Sequence, residues 1–486
     1  MPSNRVVKVR PSGDSVSAQQ MRDGIAAIQA ELKVSPAFPD AVEQAAAEAA
    51  ANPRLPDLDR TDIELVTIDP ESARDLDQAM HIERDPQNPG GYVVHYAIAD
   101  VAAFVTAGDA VDVEAHRRGE TLYGADSKVP LHPPVLSEGA ASLLPDEVRP
   151  ALLWTIKVDG TGEGTDVDVE RALVKSRAKL SYEGVQADLD ADRASELIGL
   201  LKEVGELRLA REAARGGVSL PLPEQELVED EAGHWRLEFR RLTAVETWNA
   251  QISLLTGMAA ASLMVYARVG VLRTLPPADP RDVKRLHRTA RALGIEWPAE
   301  QLYPDFIRTL DPSRPTHAAM VVACTRLLRG AGYVTFNGEL PELAQHSALA
   351  SEYAHVTAPL RRLADRYAGE ICVALCAGTD VPDWVIAAMS QLPDTMTDSG
   401  RRANQYENAV VDLCEAELLA ERVGDTFAAV VVELDDKDKK RGDITIREPA
   451  IEASVTGEQD LPLGEEVTVE LVQADPASRA VAFRLA

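Results

Sequence analysis

Apolar residues fall one helical turn apart at Met21, Ile25, Ile28 and Leu32, in a stretch from about residue 17 to 52 rich in alanine, glutamine and glutamate. This spacing predicts two short helices. Pro53 and Pro56 break the pattern, and Ile63, Leu65 and Val66 open a strand-like run, placing a boundary near residue 60. From there to about residue 180 the chain reads as strands and turns, including Tyr92–Ala99 after the Gly90-Gly91 turn. Helical patterns dominate from about residue 191 to 390, among them the apolar stretch from Ile252 to Val265 and the segment from Leu360 to Leu375. A polar helical stretch from about residue 395 to 423 then leads to strand-like runs at residues 427–434, 443–446, 467–472 and 481–485. Short strands at that spacing predict a small barrel. The expected class is α+β, with one large mixed domain and smaller flanking modules.

Composition narrows the function more than the fold. With 486 residues the chain exceeds what one hydrophobic core usually organises. Its hydrophobic fraction of 45% and charged fraction of 27% are those of a soluble globular protein, and no apolar run is expected to approach a membrane span. Arg5, Lys8 and Arg10 near the start are followed by no apolar stretch, so no secretory signal is expected and the cytoplasm is the expected compartment. Cys324, Cys372, Cys376 and Cys414 form no CxxC pair, which disfavours a disulfide framework or a zinc site. The net charge of -29 argues against general phosphate binding, unless the basic residues converge on one channel.

The chemistry concentrates between Thr67 and Ala79. A strand ends at Asp69, a turn follows, and a second strand begins near Asp75. Alternation places Leu76, Met80 and Ile82 on one face of that strand and Asp75 and Asp77 on the other, with Asp69 able to reach the same point. Oxygen ligands of this kind suit Mg²⁺, which takes few carboxylates and fills its other positions with water and phosphate. Such a site fits phosphodiester hydrolysis. Taken alone, the same residues also read as turn aspartates and a solvated strand position. A calcium loop is excluded, because the glycine and terminal glutamate it needs are missing.

This stretch resembles the signature of the ribonuclease II and ribonuclease R family, the RNB catalytic domain. Further segments agree in order and spacing: Ala97-Ile98-Ala99-Asp100-Val101, Pro145-Asp146-Glu147-Val148-Arg149-Pro150, the run from Lys175 to Tyr182, and His346 followed by the run from Tyr353 to Asp365. The resemblance extends from about residue 61 to 395. It implies an RNB-type catalytic domain over residues 61–395, and the flanking patterns give a helical region at 1–60, a helical connector at 396–423 and, at 424–486, a segment that looks like a reduced S1/OB-like barrel. It also implies hydrolytic degradation of single-stranded RNA from the 3′ end to nucleoside 5′-monophosphates. Asp69, Asp75 and Asp77 match the family's magnesium-supporting aspartates, Arg361 its catalytic arginine, and Tyr123 the residue that stacks on the last base. Lys179 and Arg362 are candidate backbone contacts, with Lys175, Arg177 and Arg366 nearby in sequence.

Two positions depart from the family pattern. Gln78 stands where a fourth aspartate normally follows, which predicts a weaker metal site filled by Mg²⁺ or Mn²⁺. Ala278 stands where a second aromatic residue stacks in the best-known member. The terminal segment carries 14 acidic against 7 basic residues, with Phe427 and Phe483 its only aromatics, so its contribution to RNA binding is expected to be small. A catalytically impaired RNA-binding or ribosome-associated paralogue is the alternative these departures raise.

Overall fold

Alternating apolar residues build a closed barrel from strands Leu65–Asp69, Gln78–Arg84, Tyr92–Ala99, Val148–Val158 and Gly164–Ser181, neighbours in that order, in the computed structural model, which describes residues 16–124, 128–222, 224–229 and 235–486. Adjacent strands are antiparallel, except that the first and last close the barrel in parallel. Both strand faces are buried. Met80, Ile82, Val94, Tyr96, Ile98, Leu152, Trp154 and Ile156 enter one cluster, while the intervening Ala79, Ala97, Ala99, Ala151 and Leu153 enter another. Burying each larger aliphatic side chain contributes roughly 1.5–3 kcal/mol, which makes this period-two pattern the main determinant of the barrel.

The apolar stretch beginning at Ile252 belongs to a 24-residue helix, Ala244–Ala267, started by a Thr243/Glu246 capping box. By length and composition this helix is sufficient to cross a bilayer, a length that the sequence reading did not expect of any apolar run. Its apolar character is explained by packing: Val245, Ile252, Leu255, Ala260, Ala261 and Met264 are buried in the barrel's main cluster, and helices Glu196–Arg215 and Leu363–Ala377 lie against it. The four cysteines are free, with Cys324, Cys372 and Cys414 buried in core positions.

The two expected N-terminal helices are Val16–Glu31 and Asp40–Ala51. The first lies along the 28-residue helix Leu392–Leu419, burying Met21, Ile25 and Ile28 against Tyr406, Val410 and Leu413. Gly24 permits this approach, since a Cβ there would stand 2.6 Å from Leu413. Arg5, Lys8 and Arg10 lie outside the described residues.

After Leu392–Leu419 the chain closes a second barrel, ordered Thr426–Leu434, Arg441–Ile446, Ile451–Thr456, Ala480–Leu485 and Glu466–Asp475. Ile451–Thr456 was not anticipated. Only three of its residues are apolar enough to mark it, and its strand character comes from pairing with both neighbours. Phe427 and Phe483 meet edge to face with ring centroids 5.7 Å apart, both buried, so neither offers a stacking surface. The barrel is tied to the rest of the chain by Arg326–Glu433, Arg285–Asp436 and Arg479–Glu31 ion pairs.

Candidate active site

Strand Leu65–Asp69 ends on Asp69, but its neighbour begins at Gln78, later than the sequence suggested. Asp75 and Asp77 therefore sit on the incoming loop. Leu76 joins the cluster of Leu65, Ala79 and Ala97 and does not share the Met80 and Ile82 face, because strand alternation does not extend back to it. The loop is fixed by its backbone. Ser142 Oγ accepts from the Leu76 N–H at 2.9 Å and donates to the Arg74 carbonyl at 2.6 Å. Lys179 Nζ donates to the Glu71 and Ala73 carbonyls at 2.6 and 2.5 Å, and the Ala99 N–H donates to the Asp77 carbonyl at 2.9 Å. Pinned in this way, Asp69, Asp75 and Asp77 lie within electrostatic reach of one another.

A second loop, ahead of helix Leu363–Ala377, brings Arg361 to the aspartates. The Leu360 N–H donates to Asp77 Oδ1 at 2.8 Å, and the Ala358 N–H donates to Asp365 Oδ1 at 2.7 Å. The Thr121 N–H donates to the Arg361 carbonyl at 3.0 Å, and buried His132 hydrogen-bonds the Pro359 backbone. With its backbone held on several sides, Arg361 presents a side chain that is 42% exposed, its Nε 3.4 Å from Asp77 Oδ2. A helical Arg361–Asp365 pair does not form, because the helix starts at Leu363; Arg362 takes that role, bidentate to Asp365 at 2.9 and 2.8 Å. Tyr123 lies on the short strand Leu122–Tyr123, half-buried and within electrostatic reach of Arg361, Asp75 and Asp77.

The RNB domain model matches residues 58–376, and the model for the RNase II-type exonuclease C-terminal S1 domain matches residues 425–486. The chain belongs to the RNB family. It is 28% identical over 422 residues to Ribonuclease R of Escherichia coli, covering 81% of this chain and 51% of that protein, so it spans about half the length of the curated relatives it matches. Its fold is that of Mycoplasma genitalium RNase R, solved with ribose-methylated single-stranded RNA, at a TM-score of 0.84 and 20% identity over 96% of this chain and 78% of the other. A yeast pseudonuclease shares the fold at a TM-score of 0.67 and 16% identity, covering 92% of this chain and 57% of the other.

The electrostatics of this RNB site favour a bound cation. Burial pushes the Asp69 carboxyl up to about 6, opposed by Arg361 and reinforced by Asp75. Burial pushes Asp77 up to about 8, opposed by Arg361 and the Leu360 N–H. Burial thus favours the protonated carboxyls, and a hard divalent ion at this point would favour their charged forms instead. The all-oxygen donor set fits Mg²⁺ or Mn²⁺. Among the described residues, however, no three His, Cys, Asp or Glu side chains converge as a ready-made cage. Asp75 and Asp77 are already partly engaged by the protein, through Lys128 and through the Leu360 N–H and Arg361.

Gln78 is engaged as well. Its Nε2 donates to the Thr357 carbonyl at 2.5 Å, a bond from the aspartate loop to the arginine loop that an ionised carboxylate cannot make. Gln78→Asp is therefore expected to destabilise the fold by about 1–3 kcal/mol through a carbonyl left without its donor. Urea denaturation measures this, and a midpoint equal to or above wild type would show that the bond contributes nothing.

The remaining candidate cations divide by location. Lys179 spends two donors on the aspartate loop, Arg177 donates to the Thr61 carbonyl at 2.5 Å, and Lys175 pairs with Asp146 at 3.3 Å. Arg366 is 4% exposed and paired to buried Asp112 at 2.6 Å, so it is a fold residue and does not face a channel. Ala278 packs against the cluster of Val218, Leu286 and Phe306. Sequence reasoning missed Ser142, His132 and Lys128, which carry no local motif and gain their roles only when distant segments meet.

Proposed function

We propose that this chain hydrolyses single-stranded RNA from the 3′ end, releasing nucleoside 5′-monophosphates, in the cytoplasm. The observation that carries this reading is that Asp69, at its strand end, and Asp75 and Asp77, on the following loop, lie within electrostatic reach of one another and of the half-exposed Arg361, whose loop is hydrogen-bonded to theirs. Asp69, Asp75 and Asp77, with Gln78, are the residues that would hold a divalent cation, which when bound would supply a sharpened water nucleophile and charge neutralisation at the phosphate. The Arg361 guanidinium braces the phosphate oxygens as negative charge develops on them. Tyr123 offers its ring to the terminal base, an interaction that needs no sequence recognition. Lys179 adds positive potential beside the scissile group, whereas the charge of Arg362 is paired with Asp365. The water oxygen forms the new bond to phosphorus while the bond to the preceding nucleotide's 3′ oxygen breaks, leaving a 3′ hydroxyl on the shortened RNA.

A second reading, an RNA-binding paralogue without turnover, is favoured by Gln78 at the fourth position. The acidic terminal barrel, its two phenylalanines buried, supports weak RNA holding under either reading. The test is the product pattern from 5′-labelled single-stranded RNA in Mg²⁺ and then Mn²⁺, beside a 3′-blocked copy. A stepwise ladder abolished by the block is expected. Retained RNA binding without any ladder would establish the second reading.

A further inference from the structure

The aspartate loop already contains a cation. Lys128 Nζ lies 3.0 Å from Asp75 Oδ1 and 2.8 Å from Glu138 Oε1, with the three side chains 26%, 15% and 25% exposed. Lys128 is the register partner of Tyr123 in the two-stranded ribbon Leu122–Tyr123 and Lys128–Val129, so the fold builds it into the same wall of the site as the candidate stacking residue. Glu138 sits on the single helical turn Leu136–Ala140 and holds the ammonium from the other side.

Two neighbouring residues are partly committed as well. Asp77 gives Oδ1 to the Leu360 N–H and faces Arg361 with Oδ2. Gln78 contributes no charge and spends its amide nitrogen on Thr357. The local charge is therefore set by four carboxylates (Asp69, Asp75, Asp77 and Glu138) against three cationic side chains (Lys128, Arg361 and Lys179). With all four carboxylates ionised, as a bound divalent ion would hold them, one net negative charge remains. A single divalent ion turns it into one positive charge, which matches one phosphodiester; a second ion would leave two positive charges beyond that phosphodiester in a partly buried site.

We propose that Lys128 is a resident counter-ion that occupies Asp75, so that this site takes one divalent cation and the lysine ammonium stands where a second would bind. The proposal rests on the metal-assisted reading above. Lys128 acts through Asp75 and is a positioning residue.

The test counts metal directly, by electron paramagnetic resonance titration of Mn²⁺ against the full chain without RNA. Wild type is expected to bind one Mn²⁺. Lys128→Met, which keeps most of the volume and removes the charge, is expected to bind a second ion or to hold the first roughly tenfold more tightly. Lys128→Arg, which keeps the charge, is expected to match wild type, and circular dichroism of both variants establishes that they are folded. Two ions in wild type, or the same stoichiometry and affinity in wild type and Lys128→Met, would overturn the lysine's role. The outcomes separate from those of the exonuclease reading: two ions with an intact RNA ladder refute the lysine alone, and one ion without a ladder refutes the exonuclease alone.

Discussion

Arg361→Ala is expected to lower the rate of single-turnover RNA cleavage by about 10²–10³-fold, the scale on which removing one preorganised donor at a developing anion acts. Its melting temperature is expected to stay within a few degrees of wild type. The two expectations come from different parts of the same residue. The side chain is 42% exposed, and its ion-pair contact to Asp77 is 3.4 Å long, so little folding energy depends on it. What the fold uses is the residue's backbone, whose carbonyl accepts from the Thr121 N–H, and alanine keeps that bond. Loss of the cation leaves Asp77 less compensated, but a carboxyl already pushed up to about 8 can take a proton and avoid the penalty. Arg361→Lys restores charge without the planar fork and is expected to fall between the two. A large drop in stability with unchanged turnover would mean that the arginine is a structural residue.

Much of the fold was legible because burial imposes a simple period. Tyr92–Ala99 reads as a strand, and Met21, Ile25 and Ile28 read as one helix face; the structure places them so and buries both faces of the strand. The strand Ile451–Thr456 was not legible, since its evidence lies in partners on either side and not in its own six residues. Site legibility divides in the same way. Asp69, Asp75, Asp77 and Arg361 stand in recognisable runs, and the geometry brings them together. The reason they meet was hidden: Ser142 pins the aspartate loop from 66 residues away, and Gln78 reaches Thr357 across 279. Gln78 illustrates the difference in kind. From sequence it is a lost charge at a metal site, whereas in the fold it is a donor whose amide nitrogen joins the two loops that carry the chemistry.

Asp77→Asn separates charge from geometry at the centre of the site. The asparagine oxygen can still accept the Leu360 N–H that Asp77 Oδ1 accepts at 2.8 Å, so the arginine loop keeps its anchor. The charge that a divalent ion needs is gone, and several kcal/mol of transition-state stabilisation go with it, so turnover is expected to fall on the order of 10³-fold or more. Stability is expected to move the other way when no divalent ion is present. Burial raises the folded carboxyl to about 8 from an ordinary value of 3.8. The folded state therefore holds a proton that the unfolded state has released, and wild-type stability falls as pH rises between those two values. Asparagine has no proton to lose, so without Mg²⁺ the variant is expected to melt at or above wild type, with the largest difference near pH 8. Adding Mg²⁺ is expected to raise the wild-type melting temperature and to move the variant's much less, because only the charged site binds the ion well. Thermal melts at pH 6 and pH 8, with and without Mg²⁺, read all four states. If Asp77→Asn melts below wild type in every one of them, Asp77 serves the fold through a contact that asparagine cannot replace, and the loss of turnover would no longer report on the metal.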